Sequence, residues 1–190
     1  MKSRIAVLAA FTLVASTAAA QRVESFGFEL RPFVGAFVPM GAQRDDFKDA
    51  TTVAGQAAWE LSDHWHILGS IGWTHGHHKF ASVSKDNTYI IHYDIGTEAN
   101  LMKELGVNWL WKPFAGVGVG ARSYDYGADA VDTKTCSTGY ASMGTEFQRG
   151  VVALRVEGRQ YLNCFESPIT GKKATRTDGM FGFGLAYHLR

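Results

Sequence analysis

Near the end of the chain, Phe181, Phe183, Leu185, Tyr187 and Leu189 fall on one face of an extended segment, and Asp178, Gly182, Gly184 and His188 fall on the other. A period of two, with large apolar side chains on one side and small or polar ones on the other, marks a strand between lipid and a polar interior. The constraint is strong because such a strand is stable only inside a closed barrel.

The same alternation recurs in eight segments, at about 26–39, 51–61, 65–77, 88–101, 113–126, 137–147, 151–164 and 177–189. Their lengths suit tilted membrane strands of roughly 9–11 residues with some extension beyond the bilayer. The expected fold is therefore all-β, an eight-stranded antiparallel up-and-down transmembrane β-barrel. An even strand number returns both ends to one side.

Residues 1–20 read as a cleaved signal peptide, with Lys2 and Arg4 at a basic start, an apolar run from Ile5 to Val14, and Ala18, Ala19 and Ala20 before a cut at Gln21. That run is shorter than the roughly 20 residues a helical span requires. Residues 21–190 are then a single barrel domain. Without Lys2 and Arg4, 17 basic residues face 18 acidic ones, a balance that does not suggest a nucleic-acid partner. No cofactor motif stands out.

Short turns belong on the periplasmic side of such a barrel and longer loops on the exterior. The connection 102–112 breaks this rule, and nothing in its sequence explains why. Trp59, Trp65, Trp109 and Trp111, with Phe26 and Phe147, all fall at connections on the short-turn side, as an interfacial aromatic girdle requires. Trp73, Tyr89 and Phe181 are assigned to the outer girdle.

Parity sends Val34, Val53, Ile67, Ile71, Ile91, Ile95, Val117, Val119, Met143, Leu154 and Val156 to one side of the wall. It sends Glu29, Arg31, Gln56, Glu60, His92, Asp94, Glu98, Arg122, Glu146, Arg155, Glu157 and Arg159 to the other. A soluble lipocalin-like barrel would hold the apolar set inside. The export signal, the girdles and the scarcity of charge on the apolar face favour the inverted arrangement. Inside an eight-stranded barrel there is room for side chains but not an open pore. Glu29, Glu60, Glu98, Glu146 and Glu157 with Arg31, Arg122, Arg155 and Arg159 then form an interior charge network, since buried charges need partners. It is read as a structural plug, with a narrow gated path for ions or small solutes as the alternative.

At Pro113-Phe-Ala-Gly-Val-Gly-Val-Gly-Ala-Arg-Ser-Tyr-Asp-Tyr126 the chain resembles the outer-membrane protein A-like β-barrel family, and Gly182-Phe-Gly-Leu-Ala-Tyr187 resembles that family's closing strand. The resemblance implies a monomeric barrel in the outer membrane of a Gram-negative-type bacterium, with a structural or surface-interaction role. It also implies contact with outer-membrane lipid and with the barrel-assembly machinery. Such barrels usually end on an aromatic residue read by that machinery, whereas this sequence ends Leu189-Arg190. No peptidoglycan-binding segment follows the barrel, so the anchoring role of two-domain relatives is not expected.

Several constellations invite chemistry. Cys136 and Cys164, about equally far from the Gln148–Gly150 turn, are expected to pair as a disulfide in an oxidising compartment. His75, His77 and His78, with His92 on the next strand, offer imidazoles to a metal, although without a fixed ligand spacing solvated histidines are the better reading. Asp45, Asp46 and Asp49 read as a solvated loop because Arg44 and Lys48 are interleaved. Gly116, Gly118 and Gly120 lack the following helix of a phosphate cradle and instead clear space on the inner face. A lipid-modifying enzyme would need a Ser-His pair, but Ser123 and His75 are separated by an intervening strand. Lys172, Lys173 and Arg176 sit where lipopolysaccharide phosphates would meet the last loop.

Overall fold

The computed structural model describes residues 27–79, 87–126, 133–166 and 173–189. The expectations for the leader, Phe26 and Arg190 lie outside these residues. Eight long strands are present: β1 (Phe28–Met40), β2 (Ala50–Ser62), β3 (Trp65–His77), β4 (Asn87–Asn100), β6 (Leu110–Asp125), β7 (Lys134–Arg149), β8 (Val152–Glu166) and β9 (Lys173–Leu189). A two-residue strand, β5 (Lys103–Glu104), and a single helical turn, α1 (Gln43–Asp46), are the other elements among the described residues. The long strands pair antiparallel in chain order, and β9 closes onto β1. No helix among the described residues is long and apolar enough to cross a membrane. Strands make the crossing.

The barrel's dimensions follow from its register. Hydrogen-bonded partners lead from Trp65 through Ala99, Ala115, Met143, Gly158, Phe181, Ala36 and Thr51, and return to β3 at His75, ten residues from the start. A stagger of ten over eight strands corresponds to a tilt of about 40–45° and an interior that side chains fill. Proline is tolerated where the ladder is interrupted: Leu30 pairs with Tyr187 and Phe33 with Gly184, and the positions between, Arg31 and Pro32, are skipped on the β9 side.

Burial decides which face is inside. Val34, Ile71, Val117, Val119, Met143, Val156 and Phe183 are exposed on the outer wall, while the arginines and carboxylates of the opposite parity are buried. The barrel is therefore inverted, as a lipid-facing wall requires. Bare backbone at the inner positions 118 and 120 makes room for large neighbours. A Cβ at Gly118 would collide with the Tyr140 ring, and one at Gly120 with the Asp94 carboxylate.

Two features fall outside simple strand alternation. At the outer mouth α1 folds inward, so that Gln43 and Phe47 are buried. Phe47 packs against Tyr124 and Phe165, both with ring centroids 5.8 Å away. At the opposite end, the 102–112 connection is a small hairpin. Lys103 and Glu104 of β5 pair with Trp111 and Leu110, the Leu105 N–H donates to the Trp109 carbonyl, and Gly106 and Asn108 turn the chain with φ of 94° and 66°. The length that broke the short-turn rule is thus ordered structure built on the foot of β6.

Candidate functional site

The chemistry of this chain is concentrated in the lumen, where charged groups from every long strand except β2 and β3 meet in three levels. Near the periplasmic end, Arg31 lies 2.5 Å from Glu29 and 3.1 Å from Glu98. Arg155 forms ion pairs with Glu98, with Glu157 at 3.0 Å and with Glu146 at 3.4 Å. Its guanidinium also sits 3.4 Å from the centroid of the Phe114 ring. Arg159 pairs with Glu157, and Gln56 of β2 donates to the same carboxylate at 3.1 Å.

At mid-height the Tyr161 hydroxyl donates to Asp94 at 2.8 Å, and Arg159 donates to Ser70 of β3 at 3.0 Å. Above it, Arg122 and Asn163 each donate to Asp178 at 2.6 Å. Arg122 is also stacked 4.0 Å from the Tyr161 ring centroid. An apolar layer of Phe37, Phe47, Ile90, Tyr124, Tyr126 and Phe165 then closes the outer mouth. Outside the spanning strands, burial raises the Tyr126 phenol and the Asp46 carboxyl above their ordinary ranges. Arg176, 2.9 Å from Asp46, offsets part of the second effect and ties α1 to β9.

The interior is acidic before its rim is counted. Among the described residues, six buried carboxylates (Glu29, Asp94, Glu98, Glu146, Glu157, Asp178) face four buried arginines. Lys112, 3.7 Å from Glu146, adds one positive charge, and the imidazoles of His66 and His188 stand beside the remaining carboxylates. His188 presents Nδ1 to Glu29 at 2.8 Å and Nε2 to Glu146 at 3.3 Å. These three residues also bring ligand atoms within 4.8 Å of one another, the spacing of a metal set, but Arg31 and Lys112 already supply positive charge beside it.

The space left over is small. A cavity bounded by Glu29, Arg31, His66, Glu98, Glu146 and Arg155 measures about 10 Å³, room for one water. The large concavity, about 1050 Å³, lies on the lipid-facing waist, lined in part by Leu30, Pro32, Gly55, Gly69 and Ile71.

Of the nine residues named as the charge network, eight enter it: Glu29, Arg31, Glu98, Arg122, Glu146, Arg155, Glu157 and Arg159, and Asp94, also read as inward, joins them through Arg159. Glu60 does not. It is half-buried at the lower rim opposite His66, and it forms no ion pair with the described residues. Asp178 and His188 complete the network. They had been placed on the polar face of the closing strand without being assigned partners.

The expected disulfide is overturned, because no bond joins Cys136 to Cys164. The β7–β8 register sets Thr138 opposite Asn163, which puts Ser137 across from Cys164, and Ser137 Oγ lies 3.9 Å from Cys164 Sγ. The one-residue offset sends the two thiols to opposite faces of the wall, Cys136 buried and Cys164 exposed.

The histidine cluster is divided by the same rule. His75 stacks on Trp73 and Tyr89 outside, His78 is buried beside Tyr126, and His92 lies deep in the lumen beside Tyr161. Ser123 and His75 also remain apart. Ser123 is bonded to Tyr93 and Thr135, with β4 between the two strands. Lys172 lies outside the described residues. Arg176 is engaged by Asp46 and Phe165.

Comparison with known proteins agrees with this architecture. The profile of a family described as "Outer membrane protein beta-barrel domain" matches residues 6–190. Among solved structures, Neisserial surface protein A aligns with 14% identity and a TM-score of 0.50, covering 85% of this chain and 95% of its own. Ail, the attachment invasion locus protein of Yersinia pestis, aligns with 10% identity and a TM-score of 0.51, covering 88% and 100%. The N-terminal β-barrel domain of Pseudomonas aeruginosa OprF aligns with 11% identity and a TM-score of 0.50, covering 86% and 97%. A search of curated proteins finds no match.

Proposed function

The chain belongs to the outer membrane protein beta-barrel domain family, a barrel of the Gram-negative outer membrane, and from that premise we propose that it is a closed-lumen envelope protein. Its contribution is structural, or lies in contacts made by its outer surface, rather than in transport or catalysis. One observation carries this reading: cross-barrel pairs and aromatic rings occupy the lumen at the levels of Glu98, Asp94 and Asp178, and the interior cavity beside Glu98 measures about 10 Å³. Even a partly dehydrated ion would have to break several buried charge pairs to pass, each costly to separate.

The separation of Ser123 from His75 supports a non-enzymatic role, because a nucleophile and its base must come within hydrogen-bond reach. Planar-bilayer recording tests the proposal. The purified barrel is expected to give no steady conductance above the bare membrane, and the double variant Glu98→Ala/Arg155→Ala is expected to give more than the parent. Regular single-channel steps from the unaltered protein would sink the closed-lumen reading.

A further inference from the structure

Below the barrel, the β5–β6 hairpin carries apolar side chains that the barrel itself does not cover. Leu101 is 70% exposed, Leu105 48%, Val107 87% and Trp109 42%. Isolated apolar residues on a surface are ordinary, but a contiguous strip marks a contact. The strip here is contiguous by register.

In β6 the odd positions Ala115, Val117 and Val119 face the lipid, and Phe114, Arg122 and Tyr124 face the lumen. Trp109 and Trp111 therefore continue the lipid-facing side downward. Cross-strand partners share a face. Lys103 pairs with Trp111, Leu105 bonds to Trp109, and Leu101 bonds to Pro113, so all three lie on that side as well. Glu104, paired with Leu110, belongs to the opposite face.

The height fits as well as the side. β4 leaves the barrel at Asn100, opposite Phe114. Phe147 of the lower girdle pairs with Trp111, and Trp109 lies two residues further down, roughly 7 Å along a strand and about 5 Å along the barrel axis at the tilt of such a barrel. The headgroup layer of each leaflet is about 5–7 Å deep, beginning where the hydrocarbon ends. Trp59, Trp65 and Phe147 are exposed near that boundary. Lys103 and Arg149 flank the strip, with Arg149 positioned 5.6 Å from the Trp109 ring centroid. Tryptophan beside lysine or arginine is the composition that the interfacial layer selects.

We propose that the β5–β6 hairpin is a second membrane contact, seated through Leu101, Leu105, Trp109 and Trp111 in the phospholipid headgroup layer of the periplasmic leaflet. Lys103 and Arg149 meet the lipid phosphates. The proposal rests on continuity: the hairpin's apolar side is the lipid-facing wall of the barrel carried past its lower girdle.

The test uses the full chain with Cys136 and Cys164 replaced by serine, and one new thiol introduced by either Leu105→Cys or Glu104→Cys. Each variant is first shown to fold by its mobility shift on boiling. An environment-sensitive fluorophore on the thiol is read in phosphatidylethanolamine–phosphatidylglycerol vesicles against aqueous iodide and against a headgroup nitroxide lipid. The Leu105→Cys label is expected to shift to the blue, to lose iodide quenching and to be quenched by the nitroxide, while the Glu104→Cys label stays iodide-accessible. Iodide access at both positions would overturn the proposal by leaving the hairpin in water. Shielding at both positions without nitroxide quenching would also overturn it, by pointing to a protein partner or a second copy.

Discussion

At the residue scale, the centre of this molecule is Arg155. One guanidinium from β8 touches carboxylates on β4, β7 and β8 and lies against Phe114. Replacing it with alanine leaves three buried acids without their shared partner, and removing one side of a buried pair costs about 3–5 kcal/mol. Arg155→Ala is expected to destabilise the barrel by that order in urea unfolding from lipid vesicles. Glu60→Gln is expected to fall within about 0.5 kcal/mol of the parent, as surface changes do. Equal effects would contradict the placement of Glu60 outside the network. The cysteines give a sharper test: because Cys136 and Cys164 face opposite sides, reductant should not alter the boiled band. In the folded barrel, maleimide should reach Cys164 before Cys136. Parity alone placed most of these side chains correctly. The cysteine pairing came instead from a count outward from the turn, and a count wrong by one residue matches side chains on opposite faces, which parity kept apart.

At the element scale, the strands were legible because lipid on one side and packed polar groups on the other impose the same alternation along their whole length. Their boundaries were less so: β6, β7 and β9 begin at Leu110, Lys134 and Lys173, each earlier than the alternation indicated. Beyond the bilayer both faces of β7 and β9 meet water, and the pattern loses its cause. The 102–112 hairpin was illegible for a related reason, since its pairing with β6 is local and its apolar side resembles an ordinary loop with scattered leucine and tryptophan. The inner glycines of β6 were legible as spacers, and their neighbours were not. Gly118→Val is expected to cost about 1–3 kcal/mol by overpacking against the Tyr140 ring and the Ile95 carbonyl. The pair Gly118→Val/Tyr140→Ala should show a coupling energy of at least about 0.5 kcal/mol, as residues in contact do. Simple additivity in vesicle unfolding would remove Tyr140 as the cause.

At the scale of the whole molecule, closure of β9 on β1 turns eight marginal strands into one cooperative unit. The intact barrel is expected to run as a compact species unless boiled. The Asp46–Arg176 link at its mouth, partly exposed on both sides, is a lesser matter: Asp46→Ala should change stability by no more than about 1 kcal/mol. The amino-acid sequence by itself determined the strand count, the barrel's membrane-facing character and the inward parity of the charges, because each follows from a period of two read against a bilayer. Tertiary structure decided the stagger of ten and, with it, which charge meets which. Only across the lumen do Arg31 and Glu98, or Arg122 and Asp178, come together. Those pairings join strands that are not neighbours, so they depend on the tilt of the closed sheet, a property that no single strand's sequence contains.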